Sequence, residues 1–155
     1  MKKICVFCGS SYGNNPVYSE AVIELSKLFI ENNITLVYGG ARVGLMGFLA
    51  DEVLKSGGEV IGIIPRFLKD QEVAHSGLTK LIEVESLHER KKLMEKESDG
   101  FIALPGGLGT TEEIFEMISR GQLRIHAKPC AFLNINGFYD LLDDFLENAV
   151  KEGFV

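Results

Sequence analysis

Residues 98–117 read SDGFIALPGGLGTTEEIFEM, and this stretch decides the fold. An apolar run, Phe101 to Leu104, ends at Pro105. Gly106, Gly107, Leu108 and Gly109 follow, and a helical pattern begins within Thr110-Thr111-Glu112-Glu113. A buried strand, a glycine turn and a helix start, in that order, make an anion-binding arrangement. The first N–H groups of a helix lack partners inside it, and the helix dipole adds positive potential at the same end. A tight strand-to-helix turn with no ligand accounts for the same glycines, so the turn alone does not decide between the two.

The alternation repeats on both sides. Lys3 to Cys8 is a continuous apolar run, expected of a central parallel strand buried on both faces. Pro16 opens a helix with Ala21, Leu25, Leu28 and Phe29 on one face. Ile34 to Tyr38 is a second strand, and the helix after it stops at Gly57-Gly58. Val60 to Ile64 is a third strand; Arg66 to Leu78 has no clear period and reads as a long loop with room for a helical turn. Leu81 to Val84, Phe101 to Leu104 and Pro129 to Leu133 complete the strands. Helices are expected from the capping box Ser86-Leu87-His88-Glu89 to about Ser98, from Thr111 to about Gly121, and after Asn136-Gly137, the last carrying Leu141, Leu142, Phe145, Leu146 and Val150. Strands and helices alternating at this spacing predict an α/β fold: a Rossmann-like, doubly wound parallel sheet flanked by helices, in a single domain over 1–155.

Composition narrows the partners. The 155 residues carry a formal net charge of -6, which argues against nucleic acid and leaves room for a small phosphorylated ligand. The 17 glycines exceed the roughly 11 that the ~7% average would give, and they cluster at the ends of apolar runs. The run Ile4 to Phe7 is too short for a signal core, and no stretch approaches the ~18 apolar residues of a membrane span. A cytoplasmic protein with no membrane partner is expected. Cys5 and Cys8 match C-x-x-C, but three residues apart on a strand they face opposite sides, and no second half of a zinc site accompanies them. With Cys130 they read as reduced, mostly buried thiols. No metal site and no cofactor are expected.

Three glycine-rich loops follow strands, after Cys8, after Tyr38 and after Leu104. In open α/β sheets, ligands bind outside the carboxyl ends of the strands. None of the loops has the G-x-G-x-x-G dinucleotide fingerprint or the G-K-[ST] of a P-loop, which favours a ligand with one phosphate. Glu113 has two readings. Thr110-Thr111-Glu112-Glu113 is a T-x-x-E pattern, so Glu113 can tie down the helix start; a carboxylate one turn from a phosphate can also serve a ribose hydroxyl or a developing positive charge. Arg90 and Lys91 sit in the first turns of their helix, where cations oppose the dipole. They serve a ligand, pair with Glu89 or Glu95, or are solvated. His75, His88 and His126 lack partners at metal or triad spacing.

The stretch SLHERKKLMEKESDGFIALPGGLGTTEE resembles the paired HERK and PGGxGTxxE motifs of the LOG ("Lonely Guy") family, phosphoribohydrolases that release cytokinin bases or adenine from nucleoside 5′-monophosphates. The resemblance extends through VFCGSS, VYGGARVGLMG, EVAHSGLTKL and KPCAFLNINGFYDLL, essentially the whole chain. It implies Arg90 and Glu113 as the catalytic pair, Gly106, Gly107, Gly109 and Thr110 around the 5′-phosphate, and Lys91 and Glu72 as further substrate ligands. It also implies a homodimer with active sites near the subunit interface. Members have often carried a lysine decarboxylase label, which the residues do not support, since a pyridoxal enzyme needs a larger scaffold and a Schiff-base lysine. Two departures stand out. Arg120-Gly121 replaces the usual Trp-Ala before Gln122, and the chain stops at Val155 where relatives continue, which is expected to alter the base pocket or the dimer contact. The competing expectation is a non-catalytic nucleotide- or cofactor-binding protein related to molybdenum-cofactor carriers.

Overall fold

The structure is a computed structural model that describes residues 2–69 and 74–155. Six parallel strands form one sheet: β1 (Lys3–Phe7), β2 (Thr35–Tyr38), β3 (Val60–Pro65), β4 (Lys80–Val84), β5 (Gly100–Ala103) and β6 (Cys130–Phe132). Their order is β4-β3-β2-β1-β5-β6. The chain therefore winds outward from β1 to β4, returns to β5 beside β1, and winds out the other way. The register sets Cys5 beside Val37 and Phe7 beside Ala103. The switch point, where ligands bind in sheets of this kind, lies between β1 and β5.

The inner strands β1, β2, β3 and β5 are mostly apolar because both faces are covered, while the edge strands β4 and β6 are more exposed. One core packs Val6, Leu36 and Tyr38 against α1 (Val17–Glu31) and α2 (Gly44–Lys55). The other packs Cys5, Phe7, Ile63 and Phe101 against α4 (Leu87–Glu97) and α5 (Leu108–Gln122). Cys5 and Cys8 thus belong to opposite cores, as their spacing on a strand requires, and burial raises the pKa of both thiols. Two elements complete the order, the short α3 (Arg66–Lys69) inside the expected long loop and α6 (Asp140–Lys151) after a 3-10 turn.

One helix face differs from the sequence reading. In α1 the buried stripe is Val22, Leu25, Ser26 and Phe29, while Leu28 is exposed; the i, i+3, i+4, i+7 set is centred one position away from the expected one. In α6 no side chain is fully buried, and Leu141, Phe145 and Val150 are exposed. Two observed contacts fix the ends of the central strands. The Asp99 carboxylate accepts the backbone N–H groups of Lys2 and Lys3 at the entry to β1, and the Tyr139 hydroxyl donates to the Leu104 carbonyl at the exit of β5, at 2.6 Å. Among the described residues, no helix is long and apolar enough to cross a membrane.

Candidate active site

The three glycine loops meet over the carboxyl ends of β1, β2 and β5. Gly9 N–H donates to the Pro105 carbonyl at 3.2 Å, and Met46 N–H at the start of α2 donates to the Gly9 carbonyl at 3.4 Å. The PGG turn is therefore stitched to the first loop, and the first loop to α2. At the switch-point crevice a cavity of about 200 Å³ opens beside the turn, with Gly9, Tyr12, Tyr18, Gly106 and Phe138 among its walls.

The turn glycines have different reasons to be glycine. A side chain at Gly106 would overlap the Thr110 hydroxyl and come within 2.9 Å of Gly9 N, so internal packing requires this residue. At Gly107 and Gly109 an added Cβ meets nothing within 4 Å, and neither has a positive φ. Nothing among the described residues requires these two to be glycine, which fits a ligand that approaches the backbone closely.

The helix starts earlier than its sequence pattern suggested. Gly107 is the N-cap, with no side-chain cap. The Thr111 N–H donates to the Gly107 carbonyl, so the N–H groups of Leu108, Gly109 and Thr110 form the end without helical partners. Thr110 is thus inside the first turn, buried, with its hydroxyl against Gly106, and it is not the cap of a T-x-x-E box. Glu113 is correspondingly not the partner of such a cap. The capping box at Ser86 does form: its hydroxyl accepts Glu89 N–H at 3.1 Å, and the Glu89 carboxylate accepts Glu85 N–H at 2.8 Å.

Glu113 instead faces Arg90. The Arg90 Nη2 stands 3.6 Å from Glu113 Oε1, with side-chain exposures of 8% and 16%. The only buried positions of α4 are Arg90 and Met94, four apart on one face, so the guanidinium occupies a place where an apolar side chain would ordinarily pack. Its Nε is buried without a hydrogen-bond partner among the described residues. Keeping a charged group so far from water is costly unless it has compensating partners. Glu113 is its charged partner, at 3.6 Å.

Lys91, its neighbour, points elsewhere. Its ammonium pairs with Glu112 and Glu116 on α5. Burial pushes the Lys91 pKa down, the two carboxylates outweigh it, and the net shift is upward. A Schiff-base lysine needs the opposite shift. Glu72 lies outside the described residues. The sequence reading overlooked the His75–Asp51 contact, at 2.9 Å between Nε2 and Oδ1, beside the loop after β2; no motif signalled it, because the residues lie far apart in the chain. Among the described residues, no three His, Cys, Asp or Glu side chains converge in a way that would hold a metal.

The chain is 49% identical to the cytokinin riboside 5′-monophosphate phosphoribohydrolase LOG2 of Arabidopsis thaliana, over 99% of this chain and 72% of that protein. The chain belongs to the LOG family. A second member, LOG1 of the same plant and of the same printed activity, is 48% identical over 99% of this chain and 72% of its own length. The family model that matches residues 46–155 carries the description "Possible lysine decarboxylase", the older label for LOG-type chains. Among solved structures, the molybdenum cofactor binding protein of Rippkaea orientalis superposes with a TM-score of 0.73 at 24% identity, covering 96% of this chain and 86% of that one. At that identity the likeness shows a fold shared with the LOG family and no more.

Proposed function

We propose that this LOG-family chain hydrolyses the N-glycosidic bond of a purine nucleoside 5′-monophosphate, of cytokinin or adenine type, to the free base and ribose 5-phosphate. The single observation that carries the reading is the Arg90–Glu113 pair, its guanidinium buried, less than two helical turns from a glycine cap whose N–H groups can meet an anion. A carrier needs the anion cradle; it has no use for a partly buried guanidinium aligned with a carboxylate. The names of the relatives support the same reading.

The 5′-phosphate lies against the backbone of Gly107, Leu108, Gly109 and Thr110, with Gly106 holding the turn in shape. Fixing that end places the ribose over the next turn of α5, where Glu113 stands. Breaking the bond from C1′ to the base nitrogen builds positive charge on the ribose ring, as in other glycoside hydrolyses. The Glu113 carboxylate stabilises that charge and orients the water that adds to C1′, while the base leaves with one proton. A guanidinium is no general acid, so Arg90 acts by charge and hydrogen bonding, toward the departing base. Lys91 contributes by holding α4 against α5 through Glu112 and Glu116, and Glu72 is a further ligand by motif. No cofactor enters the reaction.

The protein acts in the cytoplasm as a homodimer. The exposed apolar side chains Leu123, Ile125, Leu141 and Phe145, on and beside the last two helices, support that assembly.

The test is a comparison of AMP and isopentenyl-AMP with the matching unphosphorylated nucleosides. Base and ribose 5-phosphate are expected from the monophosphates alone. Tight binding of a nucleotide that stays uncleaved would favour the carrier reading instead.

A further inference from the structure

The loop after β2 contains two adjacent glycines, and only one is explained by its backbone. Gly40 has φ of +80°, a conformation that side chains disfavour. Gly39 has no positive φ, so no left-handed backbone calls for glycine there. The nearest atom to a Cβ built on Gly39 is Arg90 Nη2, which that carbon would overlap; the next are Met46 Sδ at 3.4 Å and Arg90 Cζ at 3.5 Å. Apart from the end of the arginine, then, the surroundings would accept a methyl group.

We propose that Gly39 is a positioning residue for catalysis: its missing side chain is the slot that seats the Arg90 guanidinium beside Glu113. Arg90 reaches from α4 across the carboxyl end of the sheet, and its buried Nε makes no hydrogen bond among the described residues. Its head is therefore fixed by what it packs on, the flat backbone of Gly39 on one side, and by Glu113 at 3.6 Å. A methyl group at position 39 moves the flexible head and leaves the phosphate turn untouched. The kinetic part of this inference rests on the N-glycosidase reading; the packing part does not.

The experiment is a double-mutant cycle of Gly39→Ala with Arg90→Ala, read by thermal unfolding and by release of base from AMP. Gly39→Ala is expected to lower Tm in the wild-type background and to leave it unchanged or raised in the Arg90→Ala background, where the slot is empty. It is expected to lower kcat by about 100-fold, the scale of an ångström-sized misplacement of a catalytic group, with KM changed little, and to add no further loss once Arg90 is gone. Equal Tm losses in the two backgrounds, or wild-type kcat in Gly39→Ala, would overturn the proposal. Failure of Gly39→Ala to fold supports it if Arg90→Ala restores folding and overturns it if not. A wild-type protein that releases no base refutes the proposed reaction, and the Tm cycle still decides the role of Gly39 in seating Arg90.

Discussion

Arg90 Nη2 and Glu113 Oε1 stand 3.6 Å apart with both side chains largely buried, and the two residues come from different helices, α4 and α5, that close over the same end of the sheet. Removing one partner of a buried pair leaves the other charge without compensation, at a cost of about 3 kcal/mol. Arg90→Ala is accordingly expected to lower stability by about that amount in urea unfolding, more than a substitution of the exposed Lys27–Glu24 pair on α1.

The turn glycines separate folding from binding. Gly107→Ala adds a methyl group to open space, so the stability loss should be limited to the N-cap preference for glycine over alanine, about 0.5–1 kcal/mol. Binding of a nucleoside monophosphate should nevertheless weaken by at least about tenfold, as the methyl group takes the place of close phosphate contact. Gly106→Ala, whose Cβ overlaps Thr110, should cost about 1–3 kcal/mol of stability. Paired urea melts and nucleotide titrations check the contrast, and equal effects at the two positions would contradict it.

Lys91→Met tests the brace between α4 and α5. Its carboxylate partners Glu112 and Glu116 are more exposed than the lysine, so the loss should be about 0.5–1 kcal/mol and should shrink at high salt. The activity should fall only a few-fold, through looser helix packing, on the scale of about 1 kcal/mol. A loss of turnover as deep as that of Arg90→Ala would mean that Lys91 contacts substrate.

Asp99 predicts an acid dependence. Hydrogen bonds from the backbone of Lys2, then Lys3, hold its carboxyl below the ordinary aspartate range. A depressed carboxylate stabilises the fold above its unfolded pKa of ~3.9 and loses that contribution as pH falls through the lower folded value. Asp99→Asn should therefore be less stable than wild type at neutral pH, with the difference shrinking as acid takes the pH below ~3.9 and through the lower folded value. Unfolding curves at neutral and acid pH measure it.

Much of this was legible in the sequence, for identifiable reasons. Strands buried on both faces leave unbroken apolar runs, so β1, β2 and β3 appeared in place to within a residue or two. Helix starts were harder. The T-x-x-E pattern at Thr110 suggested a cap, but backbone glycine at 107 caps α5 instead, and Glu113 was freed for Arg90. The burial of Arg90 had no strong local signal: LHERKKLMEKE looks like a solvated helix, and only Leu93 and Met94, three and four residues on, mark the face on which the arginine lies. The slot at Gly39 was equally invisible, because it exists only where two segments some fifty residues apart meet.

The most direct measurement is the reaction of wild type and Glu113→Gln with isopentenyl-AMP, followed by quantifying base and ribose 5-phosphate. The account predicts equimolar products from the wild type, and from Glu113→Gln a folded protein that binds the nucleotide but cleaves it at least about 100-fold more slowly. Absence of both products from folded wild-type protein, or equal turnover by the two proteins, would contradict it.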